Sequence, residues 1–289
     1  MSLHSTSTTR SSIAAANSLT PKRDMWAQIL VVVSLISTVV INALANIVPF
    51  NGQTTGAISD SFPVYFVPAG YVFSIWSVIY VGLLAYAIYQ ARPSQRTNSL
   101  LRTLRWPFIL GCIANSAWIF AWHYEIFPLT LILMLILLGT LIIQYTRLQI
   151  ADRPDAVRLW SVHIPLRIYL GWITVATIAN ITILLYDLGW RGAPLNGPTW
   201  SAILLVIATF IGLFFALRLH DAAYTLVLVW AFVGIYIKFS NEPLVGYSAL
   251  AAAITLALAA IVALRTNMVS PRHDATDLHH PLTPNQKIQ

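Results

Sequence analysis

The sequence predicts an all-α, polytopic membrane helix bundle of about eight transmembrane helices, and three observations carry that prediction. Hydrophobic residues make up 57% of the chain and charged residues only 9%, against roughly a quarter charged in soluble domains. The apolar residues gather into eight runs, most of them close to the ~20 residues a helix needs to cross a hydrocarbon core of about 30 Å. The lysines and arginines fall almost entirely in alternate connections between those runs, as they do in multi-pass proteins whose basic loops stay in the cytoplasm.

Taken in order, residues 1–24 are rich in Ser and Thr with Asp24 the single acid, and read as a disordered tail. Thr20-Pro21 then reads as a helix cap and first helical position. The first run, 25–49, is too long for the apolar core of a signal peptide and carries Asn42 and Asn46 four apart, on one face. The second, 67–91, opens on Pro68 and Gly70 and holds Trp76 and Tyr80 near its middle, away from the water interfaces where such rings usually gather. Tyr86 and Tyr89, beside Arg92, suit the interface belt. On the third run, 106–122, Asn115, Trp118 and Trp122 share one stripe. The fourth is 127–145. The fifth, 163–186, puts Tyr169, Trp172, Ala176 and Asn180 on one face and contains Arg167 near its end, where a long side chain can snorkel to water. Three further runs follow at 200–217, 222–237 and 244–264, the middle one being the shortest. Ala249, Ala253 and Ala257 recur at spacing four on the last, a pattern suited to close helix packing or a homodimer contact. Residues 268–289 read as a second disordered tail, its His279-His280 pair solvated rather than metal-binding.

With the N-terminus inside, fourteen of the 17 basic residues lie on the cytoplasmic side and two, Arg191 and Lys238, on the other, leaving Arg167 within a span. An even number of helices puts both tails in the cytoplasm, which fits a multi-pass protein of the cell membrane. The formal charge of +7 is absorbed by this asymmetry, so no nucleic-acid partner is needed to explain it. The single cysteine, Cys112, lies in an apolar run and excludes an intramolecular disulfide or a cysteine metal cluster.

Polar groups at bilayer depth cost free energy unless they find partners. One use for the stripes is helix packing, with amides bonded across helices for about 0.6 to 2 kcal/mol each. The other is an aromatic pocket in which rings stack on a flat ligand and amides orient it. Catalysis has little support: His123 and His163 have no nucleophile-and-acid pattern around them, and acids are nearly absent from the spans. The rival to a binding pocket is a secondary transporter or permease for a small lipophilic solute. Arg167 is the one clear ionisable group at depth, and the two halves of the chain show no obvious repeat.

The order of motifs resembles the tryptophan-rich sensory protein family, also called TspO/MBR or translocator protein, a five-helix membrane fold. Pro68, Trp76 and Tyr80 match the start of its second helix, Asn115 and Trp118 its third, Trp172 and Asn180 its fifth, and GWRG at 189–192 a segment after it. The resemblance covers 25–192 as a five-helix domain, with 193–267 as three additional helices without a counterpart. It departs at the loop 51–66, which has Phe62, Tyr65 and Phe66 but no tryptophan, and at Ile168, where a proline is usual. What it implies is binding of a porphyrin, haem or sterol-like molecule within the bilayer, no required cofactor, and a site of Pro68, Trp76, Tyr80, Asn115, Trp118, Trp172 and Asn180. Leu184, Tyr186 and Arg191 also fit a loose sterol-contact pattern that occurs readily by chance.

Overall fold

The computed structural model describes residues 5–151 and 153–269, with side chains from 22 to 266. Its helices are α1 (Ser5–Ile47), α2 (Thr55–Asp60), α3 (Ile75–Ala91), α4 (Ser99–His123), α5 (Phe127–Ile150), the single turn α6 (Ala156–Arg158), α7 (Ile164–Asp187), α8 (Gly197–Leu217), α9 (Ala222–Lys238) and α10 (Pro243–Val269). Seven stretches are long and apolar enough to cross a membrane: Lys22–Ile47, Gly70–Ala91, Ser99–His123, Phe127–Ile150, Ala156–Asp187, Gly197–Leu217 and Pro243–Thr266. The eighth, α9, has 17 residues, about 25 Å at 1.5 Å per residue, which is the lower edge of what spans. The chain is thus a polytopic helical membrane bundle.

Two ends differ from expectation. α1 runs back to Ser5, through the Thr20-Pro21 step and into the segment expected as a tail. A proline there removes one backbone donor, while Ala14, Ala15 and Ala16 favour helix. The second span begins with a 3-10 stretch, Gly70–Ser74, and becomes α-helical only at Ile75. Of the expected C-terminal tail, Met268 and Val269 complete α10, and the remainder, with His279 and His280, lies outside the described residues.

Packing follows the chain: α4 lies on α5, α1 on α3 and α4, α7 on α5 and α3, and α10 on both α8 and α9. The last three helices join the first five through α9, which packs along α7. Gly171 permits this approach, because a Cβ there would sit 2.9 Å from the Tyr224 carbonyl oxygen and 3.0 Å from Val227 Cβ. Tyr224 also donates to Thr174 Oγ1 at 3.1 Å across the same seam. Ala249 and Ala253 are buried on the helix that meets α8 and α9, so the alanine stripe serves packing within the chain.

Each end of the bundle is tied by polar groups. At the arginine-rich end Asp24 takes Arg102 and Arg105, and Gln28 bonds the Gln90 carbonyl. At the opposite end the loop between α1 and α3 is sewn down on both sides. Trp122 Nε1 donates to the Thr55 carbonyl at 3.1 Å and Asn51 to that of His123 at 3.0 Å. Ala69 N–H donates to Gly234 at 3.2 Å, Trp230 Nε1 to Val72 at 3.0 Å, and Lys238 pairs with Asp60. The loop's own rings pack inward: Phe62 on Phe127 and Tyr186, Tyr65 on Phe239, Phe66 on Phe232. His123 is fully buried, with Nδ1 2.8 Å from the Ile119 carbonyl, and serves the end of α4.

Candidate functional site

The stripes on α3, α4 and α7 do meet, and they meet as stacked layers. Nearest the arginine-rich end is a chain of hydrogen bonds. Asn42 Nδ2 donates to Asn115 Oδ1 at 2.8 Å, and Asn115 Nδ2 donates to the Tyr169 hydroxyl at 3.0 Å. The α4 and α7 helices both run from the arginine-rich end to the opposite one. Trp118 and Trp172 each lie three residues beyond the Asn115 and Tyr169 pair, so the two positions stand at a similar depth, a layer about 4.5 Å further along their helices. Trp76 completes that layer: its ring stacks on Tyr80 at 5.4 Å and meets Tyr169 and Trp172 edge-on at 5.9 and 6.2 Å. Phe73 closes on the other side of Trp172 at 5.7 Å.

The remaining predicted residues stand apart from this centre. Trp118 stacks on Trp122 at 5.0 Å. Asn180, two turns beyond Trp172, exchanges hydrogen bonds with Thr130 of α5 at 3.1 and 3.2 Å. Pro68 is buried before the helix; it faces α9, where a Cβ on Gly234 would lie 3.1 Å from its own Cβ. The rings contact one another and the amides bond one another, so in this conformation the layer is filled by its own side chains. Two groups are left over. The Nε1 donors of Trp118 and Trp172 are buried without an acceptor among the described residues, and a buried unpaired donor costs about 1 to 3 kcal/mol.

Open space lies elsewhere, outside the stripes. Between residues 63–66, the last turn of α7, the 189–197 connection and the first turns of α8 is a cleft of about 210 Å³, below the roughly 300 to 1,000 Å³ of drug-sized sites. Its rings are Tyr65, Tyr186, Trp190 and Trp200, and its cation is Arg191. The sequence signals for it are the GWRG segment, the loop aromatics and the loose pattern of Leu184, Tyr186 and Arg191, of which Tyr186 and Arg191 line the cleft.

A third feature corrects the reading of Arg167. Its Nε lies 3.3 Å from Asp221 Oδ2, with side chains 19% and 1% exposed, though without the alignment of a hydrogen bond. The group therefore has a buried partner rather than a purely aqueous one. Asp221 also caps α9, accepting from Tyr224 N–H at 3.0 Å. Burial pushes its carboxyl above the usual range, an effect that Arg167 opposes. The pairing joins residues 54 positions apart on α7 and at the α8–α9 turn, which no local spacing rule detects.

No group of three or more His, Cys, Asp or Glu residues among the described ones could hold a metal ion. No curated protein and no solved structure matches the chain. A family model described as TSPO-like protein matches residues 28–262. That match includes every predicted site residue and runs past Gly192 through α8 and α9 and most of α10, so these helices fall inside the matched region rather than beyond it. With the helix order, the aromatic layer and a match over more than four-fifths of its length, the chain belongs to the TSPO-like protein family.

Proposed function

We propose that this TspO-type membrane protein binds a flat hydrophobic ligand, of the tetrapyrrole or sterol-like class, in the aromatic layer between α3, α4 and α7, for sensing or transport. The supporting observation is the pair of indole donors, Trp118 Nε1 on α4 and Trp172 Nε1 on α7, buried at a similar depth without acceptors among the described residues. A ligand with a ring face and an acceptor group would stack on Trp76 and Trp172 and satisfy those donors. Because the rings touch in this conformation, binding must part them, and the ligand has to favour the parted state by its own contacts. No cofactor and no catalytic step belong to this reading. Contact with membrane lipid and both termini on the cytoplasmic side of the cell membrane belong to this reading, which the basic asymmetry of the loops supports.

The test is a titration of the protein in lipid nanodiscs with protoporphyrin IX, followed by tryptophan fluorescence. Saturable quenching, weakened about threefold to tenfold in Trp118→Phe and Trp172→Phe, is the expected result, since each variant removes one hydrogen bond. Quenching that does not saturate and ignores both changes would return the layer to helix packing.

A second reading is a permease for a small lipophilic solute: the Arg167–Asp221 pair is buried between α7 and the α8–α9 turn, and ion-coupled carriers use ionisable groups held inside the bundle. Asp221→Asn keeps a capping side chain but removes the charge. If the chain is such a carrier, solute uptake into proteoliposomes falls sharply in that variant while porphyrin quenching persists.

A further inference from the structure

The cleft at the end opposite the arginine-rich one differs from the aromatic layer in three ways that bear on a ligand. Its cation is not neutralised. The Arg191 guanidinium sits 3.6 Å from the centroid of the Tyr186 ring, and its Nη1 donates to the Tyr186 and Trp190 carbonyls. Nε and Nη2 have no partner among the described residues, and Arg191 takes part in none of the ion pairs found there.

Its buried wall carries an unused hydroxyl. Ser201, 3% exposed, lines the cleft, and its Oγ has no hydrogen-bond partner among the described residues. A serine on a helix can bond back to a carbonyl one turn earlier, and Ser201 does not, so the wall of the cleft holds a buried donor and acceptor that a ligand displacing its cover could use. The third difference is that its rings are only half-buried. Trp190 and Trp200 meet edge-on at 5.3 Å and leave faces for an apolar body, whereas Trp172 is enclosed.

The α8 N-terminus contributes little to this. Asn196 already accepts from Thr199 N–H at 2.9 Å, and Pro198 has no donor to offer. An anion entering the cleft would be held by Arg191. Gly192 shapes that corner: it adopts φ +95°, a conformation open to glycine at no steric cost, and turns the chain directly after the arginine.

We propose that this cleft binds an acidic amphiphile, with its carboxylate or phosphate on Arg191, its polar edge on Ser201 and its apolar body against Trp190, Trp200 and Tyr186. A neutral sterol would leave the cation unused. This site is separate from the aromatic layer and does not depend on the function proposed for it. The anionic group can belong to a membrane lipid or to a free acid, and the experiment separates the two.

In phosphatidylcholine nanodiscs the protein is titrated with a dibrominated fatty acid and with the matching alcohol, reading quenching of tryptophan fluorescence. A second set of discs compares dibrominated phosphatidylglycerol with dibrominated phosphatidylcholine. The expected result is saturable quenching by an anionic probe beyond its neutral counterpart, about tenfold weaker in Arg191→Gln, as loss of a charge-assisted bond implies. Arg191→Lys retains most of it, and Trp172→Phe leaves it unchanged. An effect confined to phosphatidylglycerol identifies a lipid headgroup, and one confined to the acid identifies a free ligand. Acid and alcohol quenching alike, with no preference for phosphatidylglycerol, overturns the proposal. So does quenching by the acid that survives Arg191→Gln intact.

Discussion

The aromatic layer and the outer cleft are made of the same materials, tryptophan, tyrosine and a few polar groups, and α7 contributes to both. Yet one is closed and the other open. In the layer, Asn42, Asn115 and Tyr169 satisfy one another, and Trp76, Tyr80 and Trp172 cover one another's faces. In the cleft, among the described residues, Ser201 Oγ has no partner, Arg191 is in no ion pair and bonds only through Nη1, and Trp190 and Trp200 are half-covered. Residue type states what a site can bind. Whether the chain has already used those groups on itself decides what is available, and that depends on packing between distant segments.

The largest expected effect tests the claim that the layer is structural as well as a candidate site. Asn115→Leu removes both of its bonds, leaving the Asn42 amide with only its bond to the Thr38 carbonyl and the Tyr169 hydroxyl with no partner among the described residues, costing about 2 kcal/mol. Thermal unfolding in nanodiscs reads this directly. Arg191→Gln, by contrast, is expected to change stability by less than about 0.5 kcal/mol. Equal losses from the two variants would erase the distinction between a closed region and an open one.

Next in size is the seam that holds the two regions in register. Gly234 accepts from Ala69 N–H, and a side chain there would collide with Val72 and press on Pro68. Gly234→Ala should cost about 1 to 3 kcal/mol through overpacking and lift the adjoining loop, residues 63–69, from α9. Because residues 63–66 line the cleft, quenching by the acidic probe should weaken. Quenching by protoporphyrin, which depends on Trp172, should persist. A variant that loses both together would mean that the loop controls the layer as well.

How much of this was legible depends on the range of the interaction. Span existence followed from composition and run length, and even α9 was singled out as the shortest. The three-and-four spacings of Asn115 with Trp118 and of Tyr169 with Trp172 placed those residues on common faces, and the faces do converge. What spacing could not supply was the partner on another helix. Asn180 turned out to face Thr130 of α5, Arg167 to face Asp221, and Pro68 to face α9, each a contact between segments far apart in sequence. Nor could spacing reveal empty volume. The cleft exists because a turn at Gly192, the capped start of α8 and an inward-folded loop fail to fill a corner, a property of backbone path rather than of any motif.

The last effect on stability, a modest one, falls on the residue expected to matter most for binding in the layer. Trp172 donates no hydrogen bond within the described structure, so Trp172→Phe gives up no bond and only part of a ring. The small cavity left where a phenyl ring replaces a buried indole costs about 1 kcal/mol. If the free Nε1 donor exists for a ligand, the same substitution weakens protoporphyrin binding about threefold to tenfold while the melting transition barely moves. A purely structural tryptophan behaves the other way round, losing stability in proportion to the ring area removed and leaving affinity intact once folding is corrected for. The ratio of the two changes, measured on one purified variant, therefore distinguishes a ring kept for packing from one kept for a guest.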